Sequence, residues 1–242
     1  GHTDARVVEV KGLESIRRIS GAVSVTPELR AAARTHLDGV TVTAKKSSDL
    51  AITQGKAPTI DGDLKEWDVT KGATWETGVG RRAIAALRQD GNKLYLAWKV
   101  DDTSPMANAG TDHKLLFKTG DCVDLWLGTD REAAPGRIAP VAGDIRLLFS
   151  VMDGRPVAVL YRAVVSGTKT PLEFRSPAHV TRIDRVEKLP DAEIAIARDV
   201  TGYSLEAAVP LATLGLTVSA AELRGDIGVI LSDAAGSRTS QR

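Results

Sequence analysis

The sequence lacks several features on which large groups of functions depend. Cys122 is the only cysteine, which excludes an internal disulfide and a zinc site built on thiolates. We expect Cys122 to be a small buried apolar residue. Lys and Arg number 32 and Asp and Glu number 31, and neither sign forms a long block. The charge pattern therefore indicates neither a nucleic-acid groove nor binding to an acidic lipid surface.

Long apolar runs and targeting signals are also missing. No stretch approaches the roughly 18 apolar residues that a membrane-spanning helix needs. The start, Gly1-His2-Thr3, has neither the basic nor the apolar region of a signal peptide. Gly1-His2 has the character of a tag remnant, so it stays an open question whether an original signal peptide was cut away. The sequence alone predicts no membrane insertion and does not fix the compartment.

Recognisable catalytic motifs are absent as well. The sequence contains no nucleophile elbow, no Walker-type phosphate loop, no paired-histidine zinc helix and no complete helix–loop–helix calcium loop. The four histidines are scattered along the chain. The presence of a carboxylate pair of the glycosidase kind stays an open question, because the sequence does not give the separation of Asp and Glu side chains in space. We therefore expect a protein that is not an enzyme.

What is present is the composition of an ordinary globular protein, divided into two unequal parts. Of 242 residues, 43% are apolar and 26% are charged, so a packed core is expected. Residues 1–50 suggest a few short strands and then a helix that Thr26-Pro27 opens. This piece is too small to bury its own core. We interpret 1–50 as the tail of an upstream domain or as a strap, and 51–242 as one domain.

From about Ala51 onward, short alternating strands are separated by turn residues, which predicts an all-β, antiparallel and jelly-roll-like sandwich. Arg82–Arg88 and Leu94–Val100 flank Asp90-Gly91-Asn92, a tight hairpin signal. Pro210–Leu214 is predicted to form a helical turn, as is Ala220–Leu223. Further alternating runs are Cys122–Leu127, Ile145–Val151, Val157–Ala163, Glu193–Ala197, Tyr203–Val209 and Ile227–Leu231.

The chain has four tryptophans beside three tyrosines and three phenylalanines, and two of the indoles do not fit a core pattern. Trp67 and Trp98 are expected to be structural. Trp126 alternates with Val123, Leu125 and Leu127, so strand pleating places it beside Asp124 on the opposite face. Trp75 lies in a polar stretch that is predicted to be an exposed loop. An aromatic ring beside polar groups suits a sugar site, so the candidate binding residues are Trp75, Trp126, Asp124 and Arg146.

Acidic residues cluster just beyond the predicted strand ends. Asp101 and Asp102 follow Val100, and Asp121 precedes Cys122. Oxygen-rich loops of this kind suit calcium, which takes about six to eight hard ligands. Solvated turn carboxylates explain the same pattern. Both interpretations of Asp101, Asp102 and Asp121 stay open.

Five short motifs, taken in order and spacing, resemble a family-9 carbohydrate-binding module, part of the wider DOMON-like group of sugar- and haem-binding sandwiches. The resemblance covers roughly residues 51–242. Such modules usually continue further, so we expect a C-terminal truncation. The motifs are Ile60-Asp61-Gly62 with a following Trp, Leu94–Asp102, Gly120–Leu125, Gly202–Pro210 with Leu214-Gly215, and Gly225–Val229.

The resemblance implies a β-sandwich that holds sugar between aromatic rings, a structural calcium ion, and a monomeric, non-catalytic module in a larger secreted or cell-surface protein, for example one that carries a glycoside hydrolase. Relatives on the same sandwich bind haem between axial side chains. Met106 and His113 would supply such ligands in a haem-binding electron-transfer domain. A third possibility is a structural spacer that binds no ligand. It predicts that Trp75 and Trp126 are both packed.

Overall fold

A computed structural model of the chain describes residues 50–78, 81–134, 137, 139–175, 180–217, 223–233, 235 and 238–241. The strands and helix expected in residues 1–49, and the boundary near residue 50, lie outside the described residues or at their limit. Most of the helical turn predicted at Ala220–Leu223 lies outside them too. What the structure describes is the predicted sandwich.

The first sheet has six strands, and alternation accounts for most of them. Its order is β1-β3-β4-β12-β11, with β2 also paired to β3. All of these pairings are antiparallel except that of β1 with β3. The strands are β1 (Ile52–Gln54), β2 (Ala73–Gly78), β3 (Arg81–Asp90), β4 (Lys93–Asp101), β11 (Glu193–Arg198) and β12 (Gly202–Pro210).

The second sheet also has six strands, in the order β10-β7-β6-β5-β13-β14. A separate two-stranded hairpin, β8 (Leu172–Arg175) with β9 (Val180–Ile183), packs outside it and is called the arm below. The strands of the second sheet are β5 (Cys122–Gly128), β6 (Asp144–Met152), β7 (Arg155–Arg162), β10 (Arg185–Lys188), β13 (Arg224–Ser232) and β14 (Arg238–Gln241).

Helical structure in the described residues is short. The α-helix α1 spans Leu116–Thr119, and 3₁₀ turns span Leu64–Glu66, Val69–Lys71, His113–Leu115 and Leu211–Leu214. The last of these confirms the helical turn predicted at Pro210–Leu214. No helix in the described ranges has the length and apolar character to cross a bilayer. The predicted all-β sandwich is confirmed.

The main core lies between the two sheets and consists of every second residue of their strands. Four alternate side chains of β4 are each at most 1% exposed, as the alternation predicts: Leu94, Leu96, Trp98 and Val100. They meet Val123 and Leu125 of β5 in the same cluster. Burial of each such side chain stabilises the fold by about 1.5–3 kcal/mol. The sandwich core is therefore the main source of stability.

Both outer faces of the sandwich are partly covered. The segment at residues 57–69 lies over the first sheet, where Trp67 packs against Tyr95 and Ala97. Its anchor is the fully buried Glu206 on β12, whose Oε1 accepts a 2.6 Å hydrogen bond from Trp67 Nε1. Glu206 Oε2 accepts from the backbone N–H of Gly62 at 2.7 Å. A second covering, made of α1 and the arm, lies over the second sheet.

Candidate functional site

The candidate site lies on the outer face of the second sheet. Val123, Leu125 and Leu127 face the main core, so Asp124 and Trp126 point the other way, as the sequence predicts. The β5–β6 register sets Trp126 opposite Arg146, and the β6–β7 register sets Arg146 opposite Tyr161. Three predicted residues, Asp124, Trp126 and Arg146, therefore come together.

A buried ion pair forms the floor of this site. Arg146 Nε donates to Asp124 Oδ2 at 2.8 Å, and Arg146 Nη2 donates to the same oxygen. Arg146 is 5% exposed and Asp124 is 3% exposed. Two charges removed from water in this way must satisfy each other, because an unpaired buried charge costs several kcal/mol. The pair therefore holds the guanidinium in one place.

Aromatic rings surround that guanidinium. Its Cζ lies 4.9 Å from the ring centroid of Trp126, 5.0 Å from that of Phe117 and 5.6 Å from that of Tyr161. Guanidinium groups at such distances are attracted to ring faces. Trp126 is only half-buried, whereas Tyr161 is 3% exposed. We call Asp124, Trp126, Arg146, Phe117 and Tyr161 the outer-face cluster. Its partly open side is the side of Trp126.

The far side of the outer-face cluster is closed by the covering segment. The Tyr161 hydroxyl lies 3.2 Å from the backbone carbonyls of His113 and of Lys114, which accept from it. Burial raises the pKa of the Tyr161 hydroxyl well above its usual range, which favours the protonated, hydrogen-bond-donating form. Phe117 on α1 meets Tyr161 edge to face, with centroids 6.0 Å apart. Access from the Tyr161 side is therefore blocked.

The prediction that Trp75 lies in an exposed loop is wrong. The residue lies in β2, where it pairs with Ala83 of β3, and not in a loop. Its ring is half-buried against the main core, and its buried Nε1 has no hydrogen-bond partner among the described residues. The structure therefore does not bring Trp75 to the outer-face cluster. Trp67 and Trp98 are buried, as expected for structural residues.

The three acidic candidates for calcium are not equivalent. Asp101 Oδ2 accepts from the backbone N–H of Arg82, while Asp102 and Asp121 are buried. The Asp121 oxygens accept from the backbone N–H groups of Ala107 and Ser232. In the described part of the chain no three His, Cys, Asp or Glu side chains are grouped as for a metal ion. A carboxylate cage is therefore not formed by these residues.

The two candidate haem ligands lie in different parts of the molecule. Met106 is 8% exposed and belongs to the main core. His113 lies outside the second sheet, where its backbone carbonyl accepts from Tyr161 and its ring faces Asp112. The structure thus gives no observation that favours a haem site between them.

A shallow recess of about 190 Å³ lies on the other side of the molecule, beside β1 and β3. Its cationic groups already have partners: Arg88 donates to the carbonyls of Lys56 and Glu66, and Lys71 pairs with Asp68. We place the candidate site at the outer-face cluster, where three of the residues predicted from sequence come together, and not here.

Sequence reasoning missed Phe117, Tyr161 and the arm residue Phe174. Alternation along β7 places Tyr161 on the same face as Val159 and Val157, which is a usable signal. Phe117 and Phe174 lie on short elements with no periodic pattern. Their place in the cluster depends on tertiary packing.

Comparisons with known proteins found likeness only at the level of structure. Searches for a matching family description and for a similar curated protein each found no match. The similar structures include a family-9 carbohydrate-binding module from Caldicellulosiruptor kristjanssonii in complex with cellotriose, at a TM-score of 0.47 and 15% identity, covering 78% of this chain and 80% of that chain.

A second structure of such a module from the same organism, in complex with glucose, has a TM-score of 0.46 and 13% identity, covering 78% of this chain and 82% of that chain. Both belong to the family that the sequence motifs resemble. At these TM-scores and identities the likeness carries no weight for function.

Proposed function

We propose that this chain is a non-catalytic carbohydrate-binding module whose site is the outer-face cluster. The observation that supports this most is Trp126, a half-buried indole with the Arg146 guanidinium 4.9 Å from its ring centroid. The exposed part of this ring is a flat apolar surface of the kind that suits the apolar face of a sugar. The site supplies both a stacking platform and a charged donor beside it.

The hydrogen-bonding capacity of the cluster fits a ligand rich in hydroxyl groups. Arg146 commits Nε and Nη2 to Asp124, while its Nη1 has no acceptor among the residues that the structure describes. A guanidinium carries five N–H donors and no acceptor. A sugar hydroxyl that accepts from Nη1 would complete this set, and Asp124 would keep the guanidinium from turning.

The same geometry argues for binding without catalysis. A glycosidase acid needs a carboxyl group that is free to exchange a proton with its substrate. Asp124 is instead held by Arg146 through two hydrogen bonds to one oxygen. We therefore assign Asp124 a structural role in the site.

Calorimetric titration with a panel of neutral mono- and oligosaccharides that includes glucose and cellotriose tests the proposal. We expect wild type to bind at least one member. Trp126→Ala should lose about tenfold or more in affinity, since a stacked aromatic ring contributes on the order of 1–3 kcal/mol in comparable sites. Trp126→Phe should lose less, because it keeps a ring.

The control is Val200→Ser, at a fully exposed position just before β12 of the first sheet, which should bind as wild type does. The absence of binding by wild type to every saccharide in the panel would sink the proposal. Equal affinities for wild type and Trp126→Ala would move the site elsewhere.

We further propose that the module targets a larger secreted protein to polysaccharide. This rests on the same site and on the lack of any recognised catalytic motif. A pull-down on insoluble polysaccharides, with Trp126→Ala as the paired variant, checks it. Retention of wild type and release of the variant is the expected result, and equal recovery of both would contradict it.

A structural calcium ion stays a proposal, and two observations support it. Asp102 Oδ2 is buried without a hydrogen-bond partner among the described residues. Burial, together with the nearby Asp102, raises the pKa of the Asp121 carboxyl to about 6. A hard cation would compensate both groups, with carbonyl, hydroxyl or water oxygens as its other ligands.

Thermal unfolding with calcium and with a chelator tests the ion. Calcium should raise the Tm of wild type and leave the Tm of Asp102→Asn unchanged, because binding to the native state alone is stabilising. Identical Tm values for wild type in both buffers would exclude the ion.

A further inference from the structure

The arm is attached to the molecule mainly at its base. Within the described residues β8 and β9 pair only with each other, and neither joins a main sheet. At the base, the backbone N–H of Asp184 donates to the carbonyls of Arg162 and Ala163 at 3.2 and 3.3 Å. Asp184 Oδ2 accepts from the backbone N–H of Val165 at 2.7 Å. This base fixes where the arm leaves β7.

Among the described residues of the arm, Ile183 and Phe174 join the apolar cluster that contains Tyr161, and Phe174 is the one in ring contact with it. The ring of Phe174 lies 5.4 Å from that of Phe117 at an interplanar angle of 72°, and 6.4 Å from that of Tyr161 at 59°. One polar contact joins the same two elements, where Lys118 Nζ donates to the Arg175 carbonyl at 3.2 Å. Phe174 thus ties the arm to α1.

Phe117 in turn contacts the guanidinium of the site. Its ring centroid lies 5.0 Å from Arg146 Cζ, on α1, a helix of only four residues. So short a helix has little stability of its own, and the position of Phe117 therefore depends on tertiary contacts. A continuous chain of contacts runs from Phe174 through Phe117 and Arg146 to Trp126.

We propose that Phe174 is a positioning residue of the carbohydrate site, acting through Phe117 on Arg146. This inference rests on the proposed function. Phe174 fills the space behind Phe117, Phe117 limits where the guanidinium can lie, and the guanidinium presents its free N–H groups beside Trp126. The arm is thereby part of the binding machinery, although none of its described residues needs to touch the sugar.

The opposite face of the arm provides a matched control. Arg182 pairs in register with Glu173 and is 70% exposed in its side chain. Successive residues of a strand point to opposite sides, so Glu173 and its register partner Arg182 face away from Phe174. Its removal changes the arm without changing the contact with Phe117.

Binding measurements on arm variants form the first test. With the saccharide that wild type binds best, Phe174→Ala should raise the Kd about threefold to tenfold, the size expected for a lost aromatic pair. Phe174→Leu should stay within about twofold of wild type, because it fills most of the same volume. Arg182→Ala should not change the Kd. An unchanged Kd in Phe174→Ala would overturn the inference.

The second test needs no sugar and so separates this inference from the proposed function. The Arg146 Nε–H signal in a ¹H–¹⁵N spectrum should be displaced by ring currents and slow to exchange in wild type. Phe174→Ala should shift it and speed its exchange, while Phe174→Leu and Arg182→Ala should preserve it. If that signal does not respond to Phe174→Ala, the inference fails, whether or not sugar binds. If wild type binds no saccharide, the proposed function fails instead, and this signal still decides whether Phe174 positions Arg146.

Discussion

Single residues in this protein are held by partners that only the fold supplies. Arg146 is the clearest case, because its charge is balanced by Asp124 and enclosed by three rings. Glu206 is the second, because it receives an indole N–H and two backbone N–H groups from residues 61–67. Both are charged groups inside the protein, and both allow specific predictions.

Removing one member of the Asp124–Arg146 pair should destabilise the fold more than removing both. Arg146→Ala leaves the Asp124 carboxylate buried and unpaired, at a cost of about 3–5 kcal/mol in unfolding free energy. The double variant Asp124→Leu with Arg146→Met replaces both charges by apolar groups and should lose less. Urea denaturation of wild type, Arg146→Ala and the double variant measures this, and a double variant that loses as much stability as Arg146→Ala, or more, would contradict it.

The stability contribution of Glu206 should fall as pH rises. Burial raises the pKa of this carboxyl above its ordinary value, although its hydrogen bonds with Trp67, Gly62 and Asp61 lower it. A folded-state pKa above the unfolded one means that the contribution is complete below the unfolded pKa and is lost as pH rises through the folded pKa. The excess stability of wild type over Glu206→Gln should therefore be largest at low pH.

The opposite slope is expected at Asp199, which serves as the control. Hydrogen bonds from Lys99 and Thr201 hold the pKa of Asp199 well below its usual range. Its contribution is present above the unfolded pKa and is lost as pH falls. Unfolding free energies measured across the acid range check both assignments. As pH falls, the stability lost in Glu206→Gln relative to wild type should grow, whereas the stability lost in Asp199→Asn should shrink. Parallel changes in the two variants would refute both assignments.

Strands and turns show where sequence patterns are sufficient and where they are not. β4 and β5 are predicted because alternating apolar residues fill one face of each, which leaves a periodic signal. β2 is not predicted, because Gly72 precedes it, Gly78 ends it, and its order comes from pairing with β3. The arm is also missed, since only Phe174 and Ile183 of it enter an apolar cluster. Tertiary pairing, which has no local signature, decides these elements.

Two glycines with positive φ should respond differently to alanine, because only one of them meets backbone. At Gly202 (φ 159°) an added Cβ would lie 1.9 Å from the Val100 carbonyl oxygen, where β12 begins beside β4. At Gly91 (φ 53°), in the β3–β4 turn, nothing lies within 4 Å. Gly91→Ala should cost about 1–2 kcal/mol, and Gly202→Ala clearly more. Thermal unfolding compares the two, and equal losses would contradict the steric explanation.

At the scale of the whole molecule, the sandwich encloses its only thiol completely. Cys122 is fully buried, and burial raises its pKa to about 12. Because the thiolate is the reactive form, labelling by a thiol reagent should wait for global unfolding. We expect Cys122 to react at the unfolding rate, while Val200→Cys, at a fully exposed position, reacts at once at its new thiol. Rapid labelling of wild type would show that the second sheet opens locally.

The placement of Trp126 has a consequence for how this architecture changes over evolutionary time. α1 and the arm cover the Tyr161 side of the outer-face cluster, whereas Trp126 on its other side is only half-buried. Lengthening or shortening those coverings would change how much of the outer-face cluster is exposed, while the side chains between the two sheets stayed as they are. The surface of this cluster can therefore vary independently of the core between the two sheets.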